Sequence, residues 1–185
     1  EVTLIGQNVN SYGIGDGSEL SFPDLLRAVA EVESIERIRF VTSHPKDISD
    51  GLVSLFAGEK KLCRHIHLPV QSGSDAVLAL MGRVYTRDEY LDKIRRLRDS
   101  CPGISITTDI IVGFPGETGE DFEATLDLVR TVRFDNMFSF TYSPRPGTKA
   151  STFEGRVPLD VGSERHSILQ AIKREITLEK NSNRD

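Results

Sequence analysis

Alternation is the strongest constraint on what this chain can fold into. Five short runs rich in β-branched and apolar residues recur along it, each followed by a segment with helical spacing. "EVTLIG" reads as a strand. "SFPDLLRAVAEV" reads as a helix capped by Ser21, with Asp24 three residues on and Leu25, Leu26, Val29 and Val32 on one face. "RIRFVT", Arg37 to Thr42, alternates as a strand, and "KDISDGLVSLFA" follows as a helix. "HIHLPV" is a third strand and "SDAVLALM" a short helix. "TRDEYLDKIRRLRDSCPG" is the strongest helix. Thr86 and Glu89 have capping-box spacing, and Tyr90, Ile94, Leu97 and Cys101 fall on one stripe. "ISITTDIIVGF" reads as a buried parallel strand, and "TGEDFEATLDLVRTV" as a helix opened by Thr118 and Asp121. "MFSFTYS" is the fifth strand and "PRPGTKAS" a loop. "LDVGSERHSILQAIKREITLEKN" is a long amphipathic helix with Ile168, Ile172 and Ile176 on one stripe.

Strands that alternate with helices give an α/β fold with a parallel sheet and right-handed crossovers. A closed (β/α) barrel, a partial barrel and a doubly wound sheet all satisfy the pattern. In each of them ligands bind at the carboxyl ends of the strands, so polar residues at those ends are the candidates. They are Gly6-Gln7-Asn8, Thr42-Ser43-His44, Gln71-Ser72-Gly73-Ser74, Asp109 with the "GFPGET" turn, and Tyr142-Ser143. Gln7, Asn8, Ser72 and Ser74 also suit ordinary turns or caps, and Ser74 is well placed to cap the helix after it. His44 before Pro45 also suits an ordinary loop. Asp109 stands inside an apolar run, where an unpaired carboxylate would be costly and ligand hydroxyls are one source of donors. The Gln71 amide can donate and accept, and Arg83 can reach over the same strand ends as a carboxylate fork. The "VGFPGET" turn precedes a helix N-terminus and could cradle an anion, but it is neither a Walker loop nor GxGxxG. Taken alone, these residues point to an α/β enzyme that binds a small polar ligand bearing hydroxyls and a carboxylate. They do not specify its chemistry.

Composition narrows the field. A chain of 185 residues suits one domain, or one with a small extension. No run approaches the roughly 18 apolar residues of a membrane helix, and no signal peptide is visible. Cys63 and Cys101 form no CxxC-like pair and read as buried small hydrophobes in a reducing compartment. A net charge of −5 and 7% aromatics weigh against a non-catalytic RNA-binding module. Basic residues concentrate between Arg83 and Arg98, and again at Arg145 and Lys149, and read as a solvated helix face and a loop. A barrel enzyme of the isomerase or aldolase type would want a Lys or Glu at a strand end, and none is placed convincingly.

Five stretches, "GQNVNSYG", "RFVTSHP", "HLPVQSGSDAVLALMGRVYTRDEYL", "TDIIVGFPGET" and "FSFTYSPRPGT", resemble the MiaB family of radical S-adenosylmethionine (SAM) methylthiotransferases in order and spacing. The first three differ from the sister branch that modifies a ribosomal-protein aspartate. The first differs from the branch acting on threonylcarbamoyladenosine. The resemblance implies a partial (β/α)6 TIM-like barrel without its first strand and cluster loop. Residues 1–160 would belong to that barrel, and 161–185 would form a terminal helix leading toward a TRAM domain. By this resemblance Gln71 and Asp109 would meet the ribose hydroxyls of SAM and Arg83 its methionine carboxylate. Gly6, Gln7 and Asn8 would lie by the methionine amine, and Ser72 would bind the cofactor beside Gln71. Ile111, Val112 and Gly113 would flank the adenine, with Tyr142 nearby.

The implied cofactors are SAM and [4Fe-4S] clusters. The cluster ligands, CxxxCxxC and those of a second cluster, lie upstream and are absent from this chain, which is therefore expected to be inactive by itself. The implied reaction is methylthiolation at C2 of N6-isopentenyladenosine-37 in tRNA. SAM would serve both as methyl donor and as source of a 5′-deoxyadenosyl radical. A cytoplasmic protein with tRNA as partner, and with neither DNA nor membrane, is expected. The sequence does not reveal its oligomeric state. A related methylthiotransferase acting on another tRNA base or a ribosomal protein, or a non-radical (β/α)-barrel enzyme, is the alternative.

Overall fold

The computed structural model describes residues 1–15, 20–41 and 43–182. Thr42, expected at the end of the second strand, lies outside the described residues, as do residues 183–185. The chain forms two compact units. One contains Glu1–Pro69 and Leu91–Thr107; the other contains Val70–Tyr90 and the chain from Thr108 onward.

In the first unit, β1 (Val2–Leu4) pairs in parallel with β2 (Ile38–Phe40), with Val2 opposite Ile38 and Leu4 opposite Phe40. Helix α1 (Phe22–Ala30) starts at a complete capping box, in which the Ser21 side chain accepts from the Asp24 N–H and the Asp24 carboxylate from the Ser21 N–H. It buries Phe22, Pro23 and Leu26, whereas Val32 lies past the helix end and is exposed. Helix α2 (Asp50–Gly58) begins later than its periodicity implies. Ser49 accepts from the Leu52 N–H and fixes the start, and Pro45–Asp47 ahead of it forms a 3₁₀ turn. Phe40 joins these elements. Phe22 meets it edge-on at 5.1 Å between ring centroids, and Phe56 lies 5.9 Å away. Strand β3 (His65–His67) pairs in parallel with Ser105–Thr107, the start of β4 (Ser105–Val112).

The second unit holds α3 (Asp75–Leu80), the rest of β4, α5 (Gly119–Val132), β5 (Asn136–Thr141) and α6 (Leu159–Ser182). Its portion of α4 (Arg87–Ser100) is the first turn, where Thr86 and Glu89 form the expected reciprocal cap, N–H to carboxylate at 2.7 Å and N–H to hydroxyl at 3.2 Å. β5 neighbours β4, and α6 packs on β5 and α5. Gln170 donates to the Ser139 hydroxyl at 2.6 Å, and Lys180 pairs with Asp135 at 2.9 Å. The buried stripe of α6 is Leu169, Ile172 and Ile176, while Ile168 is 39% exposed. Adjacent residues on a helix are separated by about 100°, so only one of 168 and 169 can face β5, and it is Leu169.

The α/β expectation holds, with parallel pairing in both β1–β2 and β3–β4. One local reading needs correction. β4 is not uniformly buried: Ile106, Thr108, Ile110 and Val112 are inside, while Ser105, Thr107, Asp109 and Ile111 are half-open. The strand repeat of two puts Asp109 on the open face.

Candidate functional site

Gln71 is where the site starts. Its N–H donates to Asp109 O and its carbonyl accepts from the Ile111 N–H, both at 2.9 Å. One residue earlier, the Val70 N–H donates to the Thr108 hydroxyl at 2.9 Å, and the Tyr85 hydroxyl donates to Val70 O at 3.1 Å. Gln71 is thereby pinned between the two half-open residues of β4, with φ of 72°. A non-glycine residue in the left-handed region costs on the order of 1–2 kcal/mol and is held only when its surroundings over-determine it.

Gln71, Arg83, Asp109, Ile111, Phe140 and Tyr142 line one cleft of about 550 Å³, with Arg145 and Thr148 also on its wall. Gln71 Oε1 and the Tyr142 hydroxyl are among the buried polar atoms that have no hydrogen-bond partner. Orphaned buried acceptors are rare and ask for a reason. A ligand donor into the cleft supplies one for Gln71.

The polar cluster after Gln71 ties the site to two helices. Ser72 is fully buried and does not line the cleft. Its hydroxyl oxygen lies 3.3 Å from that of Thr125 on α5 and accepts from the Ser74 N–H at 3.2 Å. The Gly73 N–H donates to the same Thr125 hydroxyl at 2.9 Å. Glycine is required here, because a Cβ would stand 2.5 Å from Ala124 O. Ser74 caps α3 by accepting from the Val77 N–H, as its position implied, and donates to Asp121 Oδ1 at 2.5 Å. Burial alone would raise the Asp121 carboxyl, but the bonds from Ser74 and Thr118 hold it below its ordinary value.

The glycine-rich turn after β4 already holds an anion, and it is the chain's own. Glu117 Oε1 accepts from the Gly113 N–H at 2.9 Å and from Arg165 Nη1 at 2.5 Å. Arg165 also donates to Glu117 O at 3.1 Å, and its guanidinium lies 5.5 Å over the Phe122 ring. Two further turn amides are satisfied: Gly116 N–H by Gly155 O and Glu117 N–H by Phe114 O. Burial lifts the Glu117 carboxyl above its ordinary value, against these bonds. Gly113 does not line the first cleft. It lines a neighbouring apolar cavity of about 300 Å³, and Thr141 and Tyr142 border both spaces. Val112 is fully buried on the other face of β4.

Gly6, Gln7 and Asn8 belong to the first unit, where they are exposed between β1 and the 3₁₀ turn Val9–Ser11. The residue that orders that region is Asn10, which is buried. Its Nδ2 donates to His44 O at 2.9 Å and its Oδ1 accepts from the His44 N–H at 2.8 Å. Nothing local in the sequence marks Asn10, Thr125 or Arg165, because each acts on a distant partner. Cys101 is buried and Cys63 partly so, and both are free thiols of the first unit. Among the described residues, no group of three or more His, Cys, Asp or Glu could hold a metal ion, and no helix is long and apolar enough to cross a membrane. The described residues do not fit an iron–sulfur cluster.

Comparison with known proteins gives a consistent picture. Residues 2–129 match the radical SAM superfamily. The tRNA-2-methylthio-N(6)-dimethylallyladenosine synthase of Geotalea uraniireducens is 60% identical over 181 residues, covering 98% of this chain and 41% of the relative. The protein of the same name from Syntrophus aciditrophicus is 56% identical, covering 98% of this chain and 39% of its own length. The chain thus spans about two fifths of these curated relatives. Among solved structures, coproporphyrinogen III oxidase (HemN) from Escherichia coli, described as a radical SAM enzyme, aligns with a TM-score of 0.63 at 19% identity. That alignment covers 76% of this chain and 32% of the other. The likeness shows the fold, an α/β arrangement with parallel strands in keeping with a partial TIM-like barrel.

Proposed function

The chain belongs to the radical SAM superfamily, and from that premise we propose that it is the SAM-binding part of a tRNA methylthiotransferase acting on N6-dimethylallyladenosine. The observation that carries this reading is the convergence of Gln71, Arg83 and Asp109 on one cleft of about 550 Å³, with Gln71 Oε1 buried and lacking a donor.

The donor set suits SAM. Asp109 accepts from the ribose hydroxyls, and Gln71 Oε1 takes the hydroxyl proton it lacks. Arg83 offers its guanidinium to the methionine carboxylate. Ile111 gives the adenine an apolar wall, with Gly113 and Tyr142 beside it across the border with the second cavity. Ser72 holds Gln71 in place through Thr125 rather than touching the cofactor. When bound, SAM supplies an activated methyl group and the one-electron chemistry of its sulfonium. This chain's residues bind and orient it. The [4Fe-4S] clusters of the proposed reaction would be held by residues other than those of this site. The proposed setting is the cytoplasm, with tRNA as partner.

Titration calorimetry of the full-length protein with SAM tests the assignment. Asp109→Ala and Gln71→Ala should each weaken SAM by about tenfold, the loss of one good hydrogen bond to a charged or buried group. Unchanged affinity in both variants, in a protein that binds SAM, would sink the site.

A further inference from the structure

Some lining residues of the cleft are left over once the cofactor is satisfied, and Phe140 and Arg145 are the chemically distinctive ones. Phe140 and Arg145 answer neither to ribose hydroxyls nor to a carboxylate, yet both face the same space. Phe140 is 54% exposed, and Phe138, two residues earlier on the same face of β5, is 50% exposed. Their intervening neighbours behave differently: Met137 is buried, and Ser139 is used by α6. A strand chosen by packing alone would turn polar residues outward on this face. Instead it shows two adjacent aromatic rings, with a cation over one and a cation on the same cleft wall as the other. Lys173 Nζ lies 5.9 Å over the Phe138 ring, and Arg145 shares the cleft wall with Phe140.

Aromatic faces on a sheet alternating with cations match the way single-stranded RNA is held. Bases stack on the rings, and the phosphates between them meet the cations. Single exposed apolar residues need no explanation, whereas contiguous ones bordering a ligand cleft do. We infer that the open face of β5, Phe138 and Phe140 with Arg145 and Lys173, is a stacking platform for unpaired nucleotides of the RNA substrate. Phe140 is the position nearest the chemistry, since it alone of the two rings lines the cleft. The inference rests on the proposed function for its substrate and adds the surface that grips it. It also reconciles an acidic chain of net charge −5 with an RNA partner, because the grip needs two local cations and two rings rather than a basic field.

The test uses the full-length protein and a fluorescent RNA hairpin carrying N6-dimethylallyladenosine in its loop. RNA affinity is read by anisotropy at several salt concentrations, and SAM affinity by calorimetry. Phe140→Leu keeps apolar bulk but removes the π face, and should weaken RNA about tenfold. Phe140→Trp should restore it. Arg145→Gln should weaken RNA severalfold and lower the salt slope by about 0.7, one phosphate contact to a single strand. SAM affinity should stay within about twofold in all three. RNA affinity unchanged in both Phe140→Leu and Arg145→Gln overturns the platform and leaves the face to a protein segment. Loss of SAM affinity with RNA affinity intact also overturns it and assigns Phe140 to the cofactor. Failure of the underlying reading looks different: Gln71→Ala would leave SAM binding intact, whatever Phe140→Leu does to the RNA.

Discussion

Arg165 and Glu117, 48 residues apart, form a buried ion pair at 2.5 Å, with side chains 12% and 1% exposed. It joins the last helix to the turn at the end of β4. Burial raises the Glu117 carboxyl above its ordinary 4.5, against the bonds from Gly113 and Arg165. A raised value means that the folded state holds this proton more tightly than the unfolded chain. Its stabilising share is therefore fully present below about 4.5 and is lost as pH rises through the folded value. Arg165→Ala removes what sustains the charged form. We expect it to cost about 3–5 kcal/mol at pH 7 and clearly less at pH 4, where Glu117 takes up its proton. Urea unfolding of wild type and variant at both pH values checks this; equal costs would contradict it.

Gln71 separates stability from binding. Its φ of 72° suits glycine, and its Oε1 is buried without a donor. Gln71→Gly should leave the protein as stable or raise its stability by up to about 1 kcal/mol, while SAM affinity falls at least tenfold. A variant that loses both would show that the amide is there for the fold.

Gly73 tests the seat of the polar cluster on α5. A Cβ there would lie 2.5 Å from Ala124 O and 2.6 Å from Thr125 Cα, both rigid helix backbone. Gly73→Ala should lower stability by about 1–3 kcal/mol and weaken SAM by displacing Gln71. An unchanged unfolding midpoint would mean that the contact gives way freely.

Tyr85 predicts an alkaline limit. Burial pushes its hydroxyl from 10.0 up to about 12, with the Arg83 charge opposing. Stability from the protonated phenol is fully present below pH 10 and is lost as pH rises through about 12. Tyr85→Phe removes the bond to Val70 O and should cost about 1 kcal/mol at pH 7. Between pH 10 and 12 that deficit should shrink or reverse. Paired unfolding curves at pH 7 and pH 11 read it directly.

What could be read in advance was what local spacing encodes. The caps at Ser21, Ser74 and Thr118 use partners three residues away, so their signatures are visible in the chain. The alternation of strand and helix fixed the class of fold. The exposure of Asp109 was hidden because Thr108 and Ile110, which turn inward, are as β-branched as a fully buried strand would be. The Leu169 stripe was misplaced by one residue because Ile168 is equally apolar and only packing on β5 chooses between them. Thr125, Glu117 and Arg165 act across 48 to 53 residues, and the left-handed backbone of Gln71 leaves no mark on its side chain.

The two-faced character of β4 limits how this protein can vary in length. Inserting or deleting one residue between Ile104 and Asp109 would swap the faces from that point on, sending the carboxylate into the core and Thr108 or Ile110 into the cleft. A change of two residues would preserve the faces but carry Asp109 past the Gln71 backbone that brackets it. This segment should therefore be fixed in length.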